Sequence, residues 1–177
     1  MTNRQVILYI AATLDGYIAT DNDDISFLSV VQSPGEDYGY SDFIKTVDTV
    51  IMGRRTYDKV LTFGGDFLHR DKKCYVLSRH KKGSDKNVEF YNGDIGQLIA
   101  NIRKTDGKNI FIDGGAETVF ELMKQNLIDK FIVSIIPHLL GSGVTLFKPG
   151  RQEQNLKLIR SVTFPSGLVQ LWYDKQE

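Results

Sequence analysis

The stretch at residues 110–121, IFIDGGAETVFE, limits the possible folds more strongly than any other part of the chain. Its β-branched apolar run stops at Gly114 and Gly115, and a segment compatible with a helix begins directly after them. This order is typical of a buried strand that leads through a tight turn into a helix. Because glycine lacks a Cβ atom and a helix N-terminus attracts anions, the turn suits a phosphate group, although two glycines after a strand are more often just a turn.

Other apolar segments predict an alternation of strands and helices around this stretch. Short apolar runs predict buried strands at residues 6–12, 49–52, 74–77, 88–91 and 130–136. Helical spacing of apolar residues predicts helices at residues 41–47, 57–61 and 95–103. Two final strands, at residues 156–163 and 168–174, flank a Pro-Ser-Gly turn and predict a hairpin. We therefore expect one α/β layered domain, residues 1–177, with a largely parallel sheet and antiparallel strands at its edge.

Composition and charge argue against several classes of protein. The 22 basic and 22 acidic residues cancel, so no overall field attracts nucleic acid or an anionic membrane. A single cysteine, Cys74, allows no internal disulfide and indicates a reducing compartment, for which we predict the cytoplasm. The first apolar run is too short to span a membrane and lacks a signal-peptide cleavage pattern. The three histidines have no metal-ligand spacing, so we predict no metal site.

Three predicted strand ends carry residues that suit phosphate groups. They are residues 53–56 (GRRT), residues 78–79 (SR) and the glycine pair at residues 114–115. Taken singly, the GRRT segment is equally compatible with solvated surface residues, the SR pair is more often a solvated rim, and a glycine pair is more often a plain turn. Ligands of open α/β sheets bind where strands end and helices begin, so the three groups together predict one extended polyphosphate site.

Five segments in order resemble the dihydrofolate reductase superfamily, and more closely the stand-alone relatives of the reductase domain of riboflavin biosynthesis. They are IAATLDGYIA, VIMGRRTYD, YVLSR, IFIDGGAETVFE and FIVSIIPHLLGSGVTLF. The resemblance implies a three-layer α/β fold with a central, mostly parallel twisted sheet and antiparallel C-terminal edge strands. The chain lacks the GxGxxG fingerprint of Rossmann domains, as does the family it resembles.

The resemblance also implies NADPH as the cofactor. The residues that it assigns to cofactor binding are Ala12, Ile18, Gly53, Arg54, Thr56, Ser78, Arg79, Gly114, Gly115 and Ala116. Within this set, the glycine turn and Ala116 match positions at the pyrophosphate, and Arg54 and Thr56 match positions at cofactor phosphates. Ser78 and Arg79 match the strand end that flanks the 2′-phosphate, where positive charge favours NADPH over NADH. Matches to backbone positions near the nicotinamide carboxamide complete the set.

On the substrate side, counting back without gaps from VIMG places Asp37 at the acid that holds the pterin in dihydrofolate reductases and assists its protonation. Glu36 or Asp42 takes that position after a small shift, and Asp37 is also well placed simply to begin a helix. Ser134 matches the strand hydroxyl beside this acid in the family. Asp15, in the LDG turn, is typical of the riboflavin-type branch and is expected to shape the substrate mouth.

Two departures narrow the expected activity. The tryptophan of the mobile loop of many dihydrofolate reductases is missing, since Trp172 is the single tryptophan, and folate turnover is not expected. The H-x-E and P-C-x-x-C elements of a zinc deaminase are also missing. We therefore expect a homodimeric, NADPH-dependent reductase that transfers hydride to a small, pterin- or pyrimidine-like heterocycle. The alternative is a nucleotide- or NADPH-binding protein of the same fold without efficient turnover.

Overall fold

The computed structural model describes residues 4–176, along which strands and helices alternate. The strands are β1 (Val6–Thr13), β2 (Tyr17–Ala19), β3 (Val47–Gly53), β4 (Lys73–Leu77), β5 (Gly83–Ser84), β6 (Glu89–Tyr91), β7 (Asn109–Gly114), β8 (Lys130–Ile136), β9 (Val144–Thr145), β10 (Leu156–Thr163) and β11 (Val169–Lys175). The α-helices are α1 (Tyr40–Lys45), α2 (Arg54–Leu61), α3 (Ile95–Arg103) and α4 (Ala116–Lys124), and a 3₁₀ helix spans Ser26–Val31.

Nine of these strands form one sheet in the order β10-β11-β8-β1-β7-β3-β4-β6-β5. The six strands from β8 to β6 pair in parallel with one another, and the short β5 pairs antiparallel with β6. Antiparallel pairing joins β11 to β8 and β10 to β11, so the predicted C-terminal hairpin lies at the sheet edge. This arrangement confirms the predicted fold class.

The central strand β7 shows why the chain folds into three layers. Ile110 and Ile112 pack into the core beneath α3 and α4, whereas Phe111 between them points to the opposite face. On that opposite face Phe111 joins Phe43 of α1 and Tyr57 of α2. A strand that is buried on both faces must be apolar at successive positions, which explains the continuous apolar runs of the sequence.

Several boundaries and short elements differ from the sequence-based prediction. Helix α1 stops at Lys45, and Val47 already belongs to β3 instead of to the predicted helix. Helix α2 begins at Arg54, three residues before the predicted start, so the basic pair lies in its first turn. The small sheet of β2 and β9 was not predicted, because strands of three and two residues are too short to show a period.

None of the helices within residues 4–176 combines the length and the apolar character that a membrane span requires. In the same part of the chain, no group of three or more histidine, cysteine, aspartate or glutamate side chains is arranged to hold a metal ion.

Candidate functional site

A cleft of about 1160 Å³ lies where β3, β4 and β7 end. Eight of the ten residues predicted at the cofactor line it, namely Ile18, Gly53, Arg54, Thr56, Ser78, Arg79, Gly115 and Ala116. The other two do not line it: Ala12 is buried within β1, and Gly114 is the last residue of β7. The three strand ends that were predicted to bind phosphate (residues 53–56, 78–79 and 114–115) therefore come together at one cleft. Their contact with a cofactor stays a prediction.

The glycine turn and the start of α2 pack directly against each other. A Cβ atom added to Gly53 would lie 3.0 Å from Thr118 Oγ1 and 3.6 Å from the Gly115 nitrogen. A Cβ atom added to Gly115 would lie 3.2 Å from Thr56 Oγ1. Gly114 has a φ of +100°, which residues with a side chain rarely adopt. Because these glycines have no side chains, a narrow space stays open beside the N-termini of α2 and α4, and this space suits a phosphate group.

The cations of the cleft differ in how far they are already paired. The Arg54 Nε donates to Asp58 one turn along α2 at 2.8 Å. The guanidinium of Arg55 donates to Asp23, in the loop after β2, at 2.8 Å. Arg79 donates no hydrogen bond to any residue between 4 and 176, so its charge is free to bind an anion. Sequence reasoning left Arg55 out of the cofactor set, although it lines the cleft beside Arg54.

A second cavity, of about 710 Å³, adjoins the cleft, and both Asp37 and Ser134 line it. The two cavities have Tyr9, Ala11, Leu28 and Tyr40 in common. The sequence-based substrate residues therefore lie together, next to the space that collects the predicted cofactor residues.

Asp37 performs the structural role that the sequence left open. Its carboxylate accepts the backbone N–H groups of Gly39 and Ser41, each at 2.9 Å, directly before and within the first turn of α1. Hydrogen bonds from Ser41 and from Gly39 lower the pKa of Asp37, which keeps the group ionised. An ionised carboxylate is a poor proton donor. The two acids that could replace Asp37 at this position are also bonded within the chain: Glu36 accepts the Tyr38 N–H at 2.7 Å, and Asp42 pairs with Lys45.

Ser134 is held in a buried polar network. Its Oγ accepts from Gln170 Nε2 at 3.1 Å, and the same amide nitrogen lies 3.2 Å from the Tyr9 hydroxyl. The Gln170 Oε1 accepts from the Trp172 indole nitrogen at 2.8 Å. Burial raises the pKa of the Tyr9 phenol. The network satisfies the buried hydroxyls and fixes the floor of the second cavity.

Asp15 does not line either cavity. Its carboxylate accepts the N–H groups of Leu140 at 3.1 Å and of Gly141 at 2.7 Å. Asp15 therefore ties the turn after β1 to the loop after β8. These hydrogen bonds, and foremost one from Thr13, lower the pKa of Asp15 to about 2.

The structure adds a carboxylate that sequence reasoning missed. Asp113, next to the last residue of β7, lines the cleft with 24% of its side chain exposed, and its Oδ2 lies 3.3 Å from the Nε2 of His69. Burial, and then the nearby charge of Asp113, raise the pKa of Tyr40. The signal was present in IFIDGG, where a single acid interrupts an apolar strand just before its end. Nothing in the sequence indicated the histidine, which is 44 positions away.

Residues 4–170 match the family described as the RibD C-terminal domain. The chain belongs to this family. The RibD C-terminal domain family is a family of reductase domains. The chain is 42% identical over 171 residues to the uncharacterized protein YwjB of Bacillus subtilis (strain 168), covering 96% of this chain and 97% of the relative.

Solved structures agree with the family. A putative riboflavin biosynthesis protein from Shewanella sp. PV-4 superposes with a TM-score of 0.90 at 31% identity, covering 98% of this chain and 99% of that one. A diaminohydroxyphosphoribosylaminopyrimidine deaminase/5-amino-6-(5-phosphoribosylamino)uracil reductase from Thermotoga maritima superposes with a TM-score of 0.74 at 15% identity. The match covers 98% of this chain and 57% of the Thermotoga chain, and at that identity it supports the fold alone.

Proposed function

We propose that this RibD C-terminal domain protein is an NADPH-dependent reductase that transfers hydride to a C=N or C=O bond of a small, pyrimidine-like heterocycle. The observation that carries the proposal is that the three strand ends predicted to bind phosphate meet at one cleft, beside a second cavity of about 710 Å³. The cleft exceeds the range of about 300 to 1,000 Å³ that is usual for small-molecule sites, which agrees with a ligand as long as a dinucleotide.

The residues of the cleft fit a dinucleotide with phosphate groups. The backbone at Gly115 and the start of α4 suit a pyrophosphate, since a side chain at Gly115 would fill the space beside Thr56. The unpaired guanidinium of Arg79 suits the 2′-phosphate, which is the main difference between NADPH and NADH. When bound, NADPH supplies the hydride, and the chain supplies alignment and a site from which water is excluded.

The proposed substrate class rests on the second cavity and on Asp113. Tyr9 and Tyr40, which line both cavities, offer aromatic surface for a flat ring. The Asp113 carboxylate offers an acceptor for ring or amino N–H groups. An aminouracil is the substrate that the description of the Thermotoga relative gives, and such a ring carries N–H donors of this kind.

Titration with NADPH and with NADH, followed by turnover assays, tests the proposal. Reduced-nicotinamide fluorescence or calorimetry should show tighter binding of NADPH. NADPH oxidation is then measured with aminouracils, pterins and small carbonyl compounds, and we expect turnover with an amino-substituted pyrimidine. Failure to bind either cofactor would refute the reductase assignment.

The alternative function is a nucleotide- or NADPH-binding protein without efficient turnover. The state of Asp37 favours it, because a carboxylate that begins a helix and has a lowered pKa is not poised to donate a proton. NADPH binding without oxidation on any member of the substrate panel would support this second function over the first.

We also propose that two copies associate through strand β10. This strand ends the sheet order within residues 4–176, so its outer backbone edge has no strand partner there. Leu156, Leu158 and Ile159 are exposed on it. Exposed apolar edge strands favour strand addition, and a second copy would cover this one. Light scattering should give a dimer mass that Leu158→Lys reduces to the monomer mass, whereas Leu139→Lys, at another exposed leucine, should leave it unchanged.

A further inference from the structure

His69 is a buried histidine behind the cleft, in the loop between α2 and β4. Its side chain is 1% exposed, and the rings of Phe67 and Phe111 lie edge-on to it at 5.8 and 5.9 Å. The loop is fixed by a backbone hydrogen bond from Lys72 to the His69 carbonyl at 2.9 Å. The imidazole is therefore held in one orientation, with Nε2 directed at Asp113.

The two ring nitrogens of His69 have different surroundings. Nε2 lies 3.3 Å from the Asp113 Oδ2, so the tautomer with its proton on Nε2 donates to the carboxylate. Nδ1 is buried and has no hydrogen-bond partner among residues 4–176. An orphaned buried polar atom destabilises a fold, and a leucine would avoid it. Packing alone therefore does not explain a histidine at this position.

The surroundings of Nδ1 also bear on the role of the His69–Asp113 pair. A proton relay needs a group beyond the imidazole that gives or takes the next proton, and Nδ1 contacts none in the described chain. The contact between Nε2 and the Asp113 Oδ2 instead suits His69 to hold the Asp113 carboxylate in place. With Oδ2 bound to His69, Oδ1 is left without a donor among residues 4–176, on a side chain that is partly exposed in the cleft.

We propose that His69 is a positioning residue that orients the Asp113 carboxylate, so that Asp113 accepts the N–H groups of an amino-substituted heterocycle. The inference rests on the proposed function only for its choice of ligand class. A fixed carboxylate loses less side-chain freedom when it binds, so its preference for a ligand with N–H donors increases. Tyr9 and Tyr40 provide the surrounding aromatic surface.

The test compares 5,6-diaminouracil with uracil, which lacks the two amino groups, by calorimetry on the full chain. We expect the wild type to bind the diamino compound about tenfold more tightly, a difference that Asp113→Asn abolishes. His69→Leu should lower the preference about three- to tenfold, whereas His69→Gln, whose amide nitrogen replaces Nε2 as a donor, should restore most of it. Glu121→Gln, which removes one charge from the same cleft, is the matched control and should keep the preference.

Thermal unfolding separates positioning from a structural role. A residue that only supports the fold would lower the Tm when it is replaced, but His69→Leu should keep or raise the Tm because it removes the orphaned Nδ1. Equal ligand preference in the wild type and in His69→Leu would overturn the inference, as would a wild type that binds both uracils alike. NADPH is titrated separately, so loss of cofactor binding would contradict the proposed function and leave this comparison intact.

Discussion

The Arg79→Ala variant tests the cofactor assignment most directly. Arg79 is exposed at the end of β4 and donates no hydrogen bond to residues 4–176, so its removal breaks no internal contact. A hydrogen bond from a charged group contributes about 1.5 to 3 kcal/mol, and exposure to solvent reduces that value. We therefore expect NADPH to bind about 1 to 1.4 kcal/mol more weakly, which is about five- to tenfold. NADH, which has no 2′-phosphate, should lose less than twofold.

The assay is fluorescence titration of both cofactors with the wild type, Arg79→Ala and Arg55→Ala. Arg55 lies in the first turn of α2, near the glycine turn, and its replacement should weaken both cofactors equally. Raising the ionic strength should reduce the NADPH preference of the wild type, because exposed charges are screened. Equal losses of NADPH and NADH in Arg79→Ala would refute the assignment of this residue to the 2′-phosphate.

Three further predictions concern the glycine turn, the loop contact and the core. Gly115→Val should block the binding of both cofactors, because the new side chain would fill the space beside Thr56. It should retain the far-UV circular dichroism of the wild type, because the φ of −84° at this position is open to any residue. Normal cofactor binding by this variant would place the site elsewhere. The pKa of Asp15 is lowered to about 2, so the contribution of its carboxylate to stability is complete above pH 4 and is lost as the pH falls towards 2. Asp15→Asn should therefore reduce the dependence of the Tm on pH between pH 4 and pH 2, and a pH profile identical to that of the wild type would contradict this. Leu122→Ala should cost about 2 to 5 kcal/mol in urea unfolding, because the side chain is fully buried between α4 and the sheet, and a loss below about 1 kcal/mol would contradict that packing.

Much of the sheet was predictable because each central strand carries its own evidence. Strands β7 and β8 are buried on both faces, and their apolar runs are continuous in the sequence. The end of α1 was not predictable from spacing. Val47 continues the apolar period of the helix, but the Thr46 N–H bonds to Phe43, and the chain then enters β3. The helical period and the strand overlap at that residue, and tertiary packing selects the strand.

The candidate site was likewise predictable from the sequence only in part. The glycine turn and the basic pair of α2 are local features, and their place at strand ends predicted that they would meet. The role of Asp37 depended on where α1 begins, which one sequence does not specify closely enough. Ser134 needed a partner, but Gln170 became that partner only when β11 paired beside β8.

By itself, the sequence determined the class of fold, the parallel order of alternating strands and helices, and the residues available to bind phosphate. These features follow from periods and turns within about ten residues of each other. Only the tertiary structure decided which carboxylate lies in the cleft and which one begins a helix. It also brought His69 from the α2–β4 loop to Asp113 at the end of β7. Contacts between residues so far apart depend on how the layers pack, and no local pattern of side chains encodes that packing.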